Sequence, residues 1–315
     1  MKILLTISFL MSMSFSLSGQ IKNDDLYRYA ERTGQYSYEY LLDWVEANIT
    51  EKEDIALFFY YWIAIHMAYD DSISLEAIST SRNAAQSVQT QVAFKSRKTT
   101  CLGFTNLYNA FLQNFDIEHR LVLGYSRSPM NVLEEIEPQE DHAWSAIRWD
   151  DEWHLVEITW ANLYINDREA RDYYFKTDPA EMMLQHFPKD EKWQLLDEKW
   201  SFDKFKKAPL FDPWYLSRSI PGEEIVKTER NSKGELVINC LRPSKWKLSL
   251  KAINKYDEDQ MNLKYKVKRS SNSIQFTIRK YDGKSPIRLD AIRIGVNSSE
   301  IKALGLAYFM NLSEE

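Results

Sequence analysis

Cys101 opens a helical segment, and that position gives its thiol chemistry to do. Free N–H groups and the dipole at a helix N-terminus stabilise negative charge, and the thiolate is the nucleophilic form of cysteine. Such a nucleophile needs a base to shuttle protons and an acid to hold that base. His142 opens the run His142–Trp149, and Glu157 lies near the end of Trp153–Trp160. The two runs read as a hairpin around Asp150–Asp151. Antiparallel partners keep a constant index sum and share a face. A two-residue turn pairs Trp149 with Glu152, which sets Glu157 opposite Trp144, next along the same face from His142. A four-residue turn preserves that relation and a three-residue turn destroys it. The sequence therefore permits a Cys101–His142–Glu157 set built from a helix terminus and an adjacent sheet.

The surrounding elements are legible by period. Asp24–Ile49 is helical, and Glu51–Tyr69 more strongly so, with Ile55, Phe58, Phe59, Trp62, Ile63 and His66 at three- and four-residue steps. Asn83–Phe94 reads as irregular or weakly helical. Cys101–Phe115 carries one apolar stripe of Phe104, Leu107, Tyr108, Phe111, Leu112 and Phe115, with Thr99 and Thr100 as candidate N-caps. His119–Tyr125 then reads as a buried strand. Ser126–Asp141, with two prolines and five acidic residues, reads as an exposed loop. Arg168–Leu196 mixes helix and loop. After Pro221, short and mostly alternating runs at Leu236–Leu241, Trp246–Ile253, Leu263–Lys268, Ile274–Arg279, Ile287–Ile294 and Leu304–Met310 predict a small β-sandwich.

The runs TCLGFTNLYNAFLQNFDIEHRLVLGYS and DHAWSAIRWDDEWHLVEITW resemble the core of the transglutaminase-like superfamily of papain-fold cysteine enzymes. That family places its nucleophile at a helix start, its His in an H-A-W motif and its acid in D-x-T-W. The matching positions are Cys101, His142 in His142-Ala143-Trp144, and Glu157 in Glu157-Ile158-Thr159-Trp160. Tyr61-Trp62-Ile63 through Tyr69-Asp70 resembles the helix that precedes this core. Tyr173–Pro179, His186-Phe187-Pro188 and Trp193–Leu196 resemble the kyphoscoliosis-peptidase branch. The likeness covers about residues 55–215. It implies an α+β papain/transglutaminase-like core, helices plus an antiparallel sheet; the strand pattern after Pro221 adds a C-terminal all-β, Ig-like sandwich. The expected divisions are a leader at 1–19, an enzyme domain at 20–215 and a β domain at 220–315.

The resemblance also implies a mechanism: thiolate attack on a carboxamide, an acyl-enzyme, and release of the amine with a proton from His142. Water as acceptor makes a peptidase or amidase, whereas a lysine amine makes a protein crosslinker. A catalytically silent binding or scaffolding module is the third reading. Two departures stand out. Glu157 is one methylene longer than the family's usual Asp, so its carboxylate must fold back or the hairpin must sit differently. Thr100 precedes the nucleophile where related sequences often carry a small apolar residue. The backbone N–H of Cys101 is the natural first oxyanion donor; Gln89 and Gln91 are chemically suitable as the second.

Composition narrows the field. The chain has 315 residues, 44% hydrophobic and 14% aromatic, which is ample core material and excludes bulk disorder. A formal charge of −6 argues against a nucleic-acid or anionic-membrane role. The expected partner is a protein or peptide substrate, with no cofactor or metal. Two cysteines make neither a disulfide scaffold nor a four-thiolate zinc site. Cys240 reads as a small core residue, the alternative being a disulfide to Cys101. A zinc site at His142 and His154 is disfavoured, because strand parity puts His154 on the face opposite Glu157. Trp144 and Trp160 read as core packing before substrate wall, and His186 as structural. At the N-terminus, Lys2 followed by the apolar stretch Ile3–Leu17 and Ser18–Gly19 predicts a secretory leader cut after Gly19, hence a secreted or periplasmic location. The stretch falls short of a membrane span.

Overall fold

The computed structural model describes residues 22–127, 140–217, 226–241, 246–253, 259–261, 263–271, 273–279, 281, 286–293 and 303–309. The expected leader lies outside these residues, as does most of the acidic loop. The first eight helices in chain order are α1 (Asn23–Arg32), α2 (Tyr38–Asn48), α3 (Lys52–His66), α4 (Leu75–Thr80), α5 (Arg82–Ser87), α6 (Thr90–Ser96), α7 (Cys101–Asn114) and α8 (Ile158–Leu163). Every residue of α3 from Ile55 to Ala64 is buried, so this helix is enclosed on all sides, with α1, α7 and α8 packed against it. Phe59 stacks on Phe111 at 4.2 Å, and the Tyr108 hydroxyl donates to the Ala56 carbonyl at 3.2 Å. These contacts lock α7 against α3.

Helix α3 stops at His66, short of the expected Tyr69. A two-residue parallel pairing takes the chain over, between β1 (Ala68–Tyr69) and β2 (Lys98–Thr99). Ala68 N–H donates to Arg97 O and Asp70 N–H to Thr99 O, each at 2.8 Å, so the backbone groups released by the helix find partners at once. Asn83–Phe94, expected to be irregular or weakly helical, is mostly α5 and α6. Strand β2 lies against the first turn of α7 because Gly103 has no side chain. A Cβ there would sit 1.8 Å from Thr99 Oγ1 and 2.8 Å from Thr99 Cβ. Gly103→Ala is therefore expected to destabilise the fold by about 1–3 kcal/mol through overpacking, read as a lowered denaturant midpoint. An unchanged midpoint would show that β2 is not seated on the helix.

The central sheet is antiparallel. It comprises β3 (Glu118–Ser126), β4 (His142–Trp149), β5 (Glu152–Val156), β6 (Phe175–Thr177) and β7 (His186–Pro188), in the order β6-β5-β4-β3-β7. Trp149 pairs with Glu152 across the turn, as expected. Asp150 and Asp151 both have positive φ, 50° and 63°, the backbone that a tight two-residue hairpin needs. The expected strand Trp153–Trp160 is corrected, since β5 ends at Val156 and α8 begins at Ile158. Glu157 N–H donates to Tyr174 O at 2.9 Å, and the Glu157 side chain caps α8, so the pattern turns helical despite its β-prone Ile158-Thr159-Trp160. Helix α7 is bolted to β4 by Thr105 Oγ1 donating to Ala143 O (3.2 Å) and Ser145 Oγ to Asn109 Oδ1 (2.8 Å).

The C-terminal part forms two antiparallel sheets. Strand β8 (Leu210–Phe211) precedes β9 (Val226–Arg230), β10 (Leu236–Leu241), β11 (Trp246–Ile253), β12 (Asp259–Met261), β13 (Tyr265–Arg269), β14 (Ser273–Ile278), β15 (Ile287–Arg293) and β16 (Ala303–Phe309). One sheet runs β13-β14-β10-β9 and the other β12-β11-β15-β16-β8. Ile238, Cys240 and Phe276 from the first share a buried cluster with Leu248, Leu250 and Leu289 from the second, which makes the expected sandwich. Phe211 and Tyr215 join that cluster, so residues of the expected enzyme domain at 20–215 already contribute to it. Cys240 is core as expected, and both cysteines are free. Among the described residues no helix is long and apolar enough to cross a membrane.

Candidate active site

Cys101 is the first residue of α7 and is buried. Thr100 occupies the N-cap position without capping: its hydroxyl is buried and unpartnered, so the candidate caps are corrected. Thr99 instead donates to Ser87 O at 2.9 Å. With no side-chain cap, the first-turn N–H groups remain open to negative charge beside the sulfur. The fastening of α7 to β4 brings this terminus to His142, whose ring engages the Cys101 side chain.

His142 Nε2 lies 2.7 Å from Glu157 Oε2, with both side chains buried. The register accounts for the meeting. Ser145 pairs with Val156, so the next residue, Glu157, falls level with Trp144 at the end of the hairpin. The longer acid folds back: Oε1 accepts from Trp160 N–H at 3.1 Å while Oε2 faces His142. One carboxylate thus caps a helix and orients an imidazole, which uses the extra methylene.

Electrostatics fixes the charges. Burial alone would lower the His142 pKa, but the Glu157 carboxylate and the Cys101 thiol outweigh it and raise the group well above its ordinary value. Burial pushes Glu157 up, yet His142 and then His186 hold it well below the usual carboxylate range. The Glu157 carboxylate thus favours a proton on His142 and makes its imidazole basic enough to take one from a thiol. Asp141 is raised by burial, against the opposing charge of His142.

His186, read from sequence as structural, is brought to the same carboxylate by β7, where it pairs with Ser126 of β3. Its Nε2 stands 3.4 Å from Glu157 Oε2, and its ring lies among Trp160 (4.4 Å), His142 (5.2 Å) and Trp144 (5.3 Å). Burial, with help from the His142 charge, lowers its pKa, so this second imidazole is neutral. His142, Glu157 and His186 each offer a ligand atom within 4.8 Å of the others. Two ligands on one tetrahedral ion at about 2.0–2.1 Å stand roughly 3.3 Å apart. The 2.7 Å between His142 and Glu157 is a hydrogen bond instead. His154 stacks on Trp149 at 4.3 Å and takes no part.

Gln89 and Gln91 are exposed around the start of α6. The phenol of Tyr69, a residue that entered the sequence pattern only as part of Tyr69-Asp70, lies beside the Cys101 side chain. Trp144 and Trp160 are buried beside His142, with ring centroids at 6.2 and 5.9 Å.

Residues 40–158 match the transglutaminase-like superfamily. The chain is similar to kyphoscoliosis peptidase of Homo sapiens, 26% identical over 249 residues, covering 75% of this chain and 36% of that protein. It is 24% identical over 212 residues to the Lim and transglutaminase domain protein ltd-1 of Caenorhabditis elegans, covering 59% of this chain and 27% of that one. A solved TGase structure aligns at 17% identity and a TM-score of 0.27, over 48% of this chain and 35% of the other. The chain thus spans about a third of the length of these curated relatives.

Proposed function

We propose that this chain, which carries a transglutaminase-like superfamily domain over residues 40–158, is a secreted or periplasmic cysteine hydrolase of protein or peptide amide bonds. The observation that carries the reading is the buried His142–Glu157 pair at 2.7 Å, set against a cysteine at a helix N-terminus. His142 takes the thiol proton, and the Cys101 sulfur adds to the amide carbonyl carbon. As the tetrahedral adduct collapses, the C–N bond breaks and the amine leaves with the proton from His142, giving a thioester on Cys101. Water, deprotonated by His142, then adds to the thioester, and the acid departs as the Cys101 thiol re-forms. Glu157 keeps the imidazole oriented and balances its charge in both halves.

Two other readings keep a specific support. Acyl transfer to a lysine amine uses the same three residues. A silent binding module is favoured by the burial of Cys101. Digestion of unfolded casein with and without a primary amine such as cadaverine tests the choice. New amino termini from wild type and not from Cys101→Ala are expected. Amine incorporation without new termini would establish a crosslinker, and neither product would count for the silent module. The location is tested by the N-terminus of exported protein, expected at Gln20; a chain retaining Met1 would contradict it.

A further inference from the structure

We infer that Tyr69 is a catalytic hydrogen-bond donor, supplying together with the Cys101 backbone N–H the pair of donors that receives the negative oxygen when the sulfur adds to an amide carbonyl. This deepens the acyl-enzyme reading and rests on it.

An oxyanion is stabilised by donors about 2.7–3.1 Å from the place the oxygen will occupy. The position of Cys101 in the first turn of α7 leaves its N–H without an intrahelical partner, which supplies one donor. The second must stand beside the sulfur on the side a substrate approaches. Tyr69 meets both conditions. Its phenol engages the Cys101 side chain, and its ring lies 6.4 Å from that of Phe104 on the same face of α7. Tyr69 is 38% exposed whereas Cys101 is 1% exposed, so the phenol is the solvent-facing member of the pair.

The placement is built into the backbone. Tyr69 pairs with Thr99, two residues before the nucleophile, and two 2.8 Å hydrogen bonds fasten that register. Gly103 lets β2, and with it Tyr69, sit against the start of α7. Pre-positioned donors of this kind cost no reorganisation at the moment of reaction.

The electron flow suits a donor that begins on the sulfur. In the resting site the phenol interacts with the Cys101 side chain. As the S–C bond forms, the C=O π pair moves onto oxygen, charge leaves the sulfur, and the O–H follows it. When the carbonyl re-forms and the C–N bond breaks, the leaving amine takes its proton from His142. Tyr69 keeps its own throughout. Burial first, and then the neighbouring Cys101 side chain and Glu157 carboxylate, raise the phenol well above its ordinary value, so it keeps its proton.

The test compares wild type with Tyr69→Phe, using three probes: the nitrophenolate burst from p-nitrophenyl acetate, inhibition by a peptide aldehyde, and alkylation by iodoacetamide. The first two place a charged or polarised oxygen beside the sulfur and the third does not. Acylation is expected to fall about 10–10³-fold and aldehyde affinity to fall with it, while alkylation is no slower than in wild type. Acylation at the wild-type rate would overturn the inference. So would equal losses in acylation and alkylation, which would mean that Tyr69 only seats the thiol. A wild-type chain that is alkylated but never acylated would overturn the acyl-enzyme reading and this inference with it, and is distinguished by failing before any substitution is made.

Discussion

Cys101→Ala is expected to lower amide hydrolysis by about 10⁴–10⁶-fold, leaving the far-ultraviolet spectrum and the thermal midpoint close to wild type. The large effect follows from the covalent path: without sulfur, neither adduct nor thioester forms, and water must attack the amide directly. The structural effect is small because only one sulfur atom is lost, and Thr105 and Asn109 still hold α7 to β4. His142→Ala belongs to the same class, since it removes both the base and the acid of each half-reaction. Casein cleavage by purified Cys101→Ala, with activity within tenfold of wild type, would remove the thiol from the mechanism.

Glu157→Gln is expected to cost about 10–10³ in turnover and also to weaken the fold. In a Ser-His-Asp triad the matching acid-to-amide change costs ~10⁴, and a thiol nucleophile should suffer less because it ionises more readily than a hydroxyl. The carboxylate serves two donors here, Trp160 N–H at 3.1 Å and His142 at 2.7 Å. If the amide oxygen keeps the Trp160 N–H, the NH2 faces His142 and can only donate to it, which imposes the wrong tautomer and removes the charge partner of the imidazolium. Glu157→Asp is too short to cap α8 and reach His142 together, and is expected to be intermediate.

The same pair shapes stability against pH, and the signs differ. Glu157 has a depressed pKa in the folded chain, so its contribution is present above the unfolded value of about 4.3 and is lost as pH falls below it. His142 has a raised one, so its contribution is full below about 6.5 and is lost as pH climbs through the folded value. Thermal midpoints of wild type should therefore be highest relative to Glu157→Gln between roughly pH 4.3 and 6.5. A difference that does not vary with pH would deny the ion pair.

The parts of the site that were legible are those carried by local pattern. The stripe from Phe104 to Leu112 placed Cys101 at a helix start, and the Asp150–Asp151 turn fixed the parity that brings Glu157 to His142. What was hidden depends on pairing between distant segments. Tyr69 reaches the thiol through a two-residue parallel pairing across the 68–99 interval, too short to leave a periodic signal. His186 reaches Glu157 because β7 joins the far edge of β3, and Gly124 permits it: a Cβ there would lie 2.2 Å from Phe187 O. The end of β5 was misread because Ile158, Thr159 and Trp160 are β-prone residues, and the cap that turns them helical is the acid itself.

The most direct test of the central claim, that Cys101, His142 and Glu157 act as one unit, is the rate of iodoacetamide alkylation of Cys101 at neutral pH. It is followed by mass spectrometry in wild type, His142→Ala and Glu157→Gln, with the buried Cys240 as internal reference. Selective labelling of Cys101 is expected in wild type, at least about tenfold slower in His142→Ala, with Glu157→Gln between them. An unreactive Cys101 in wild type, or one rate shared by all three proteins, would contradict it.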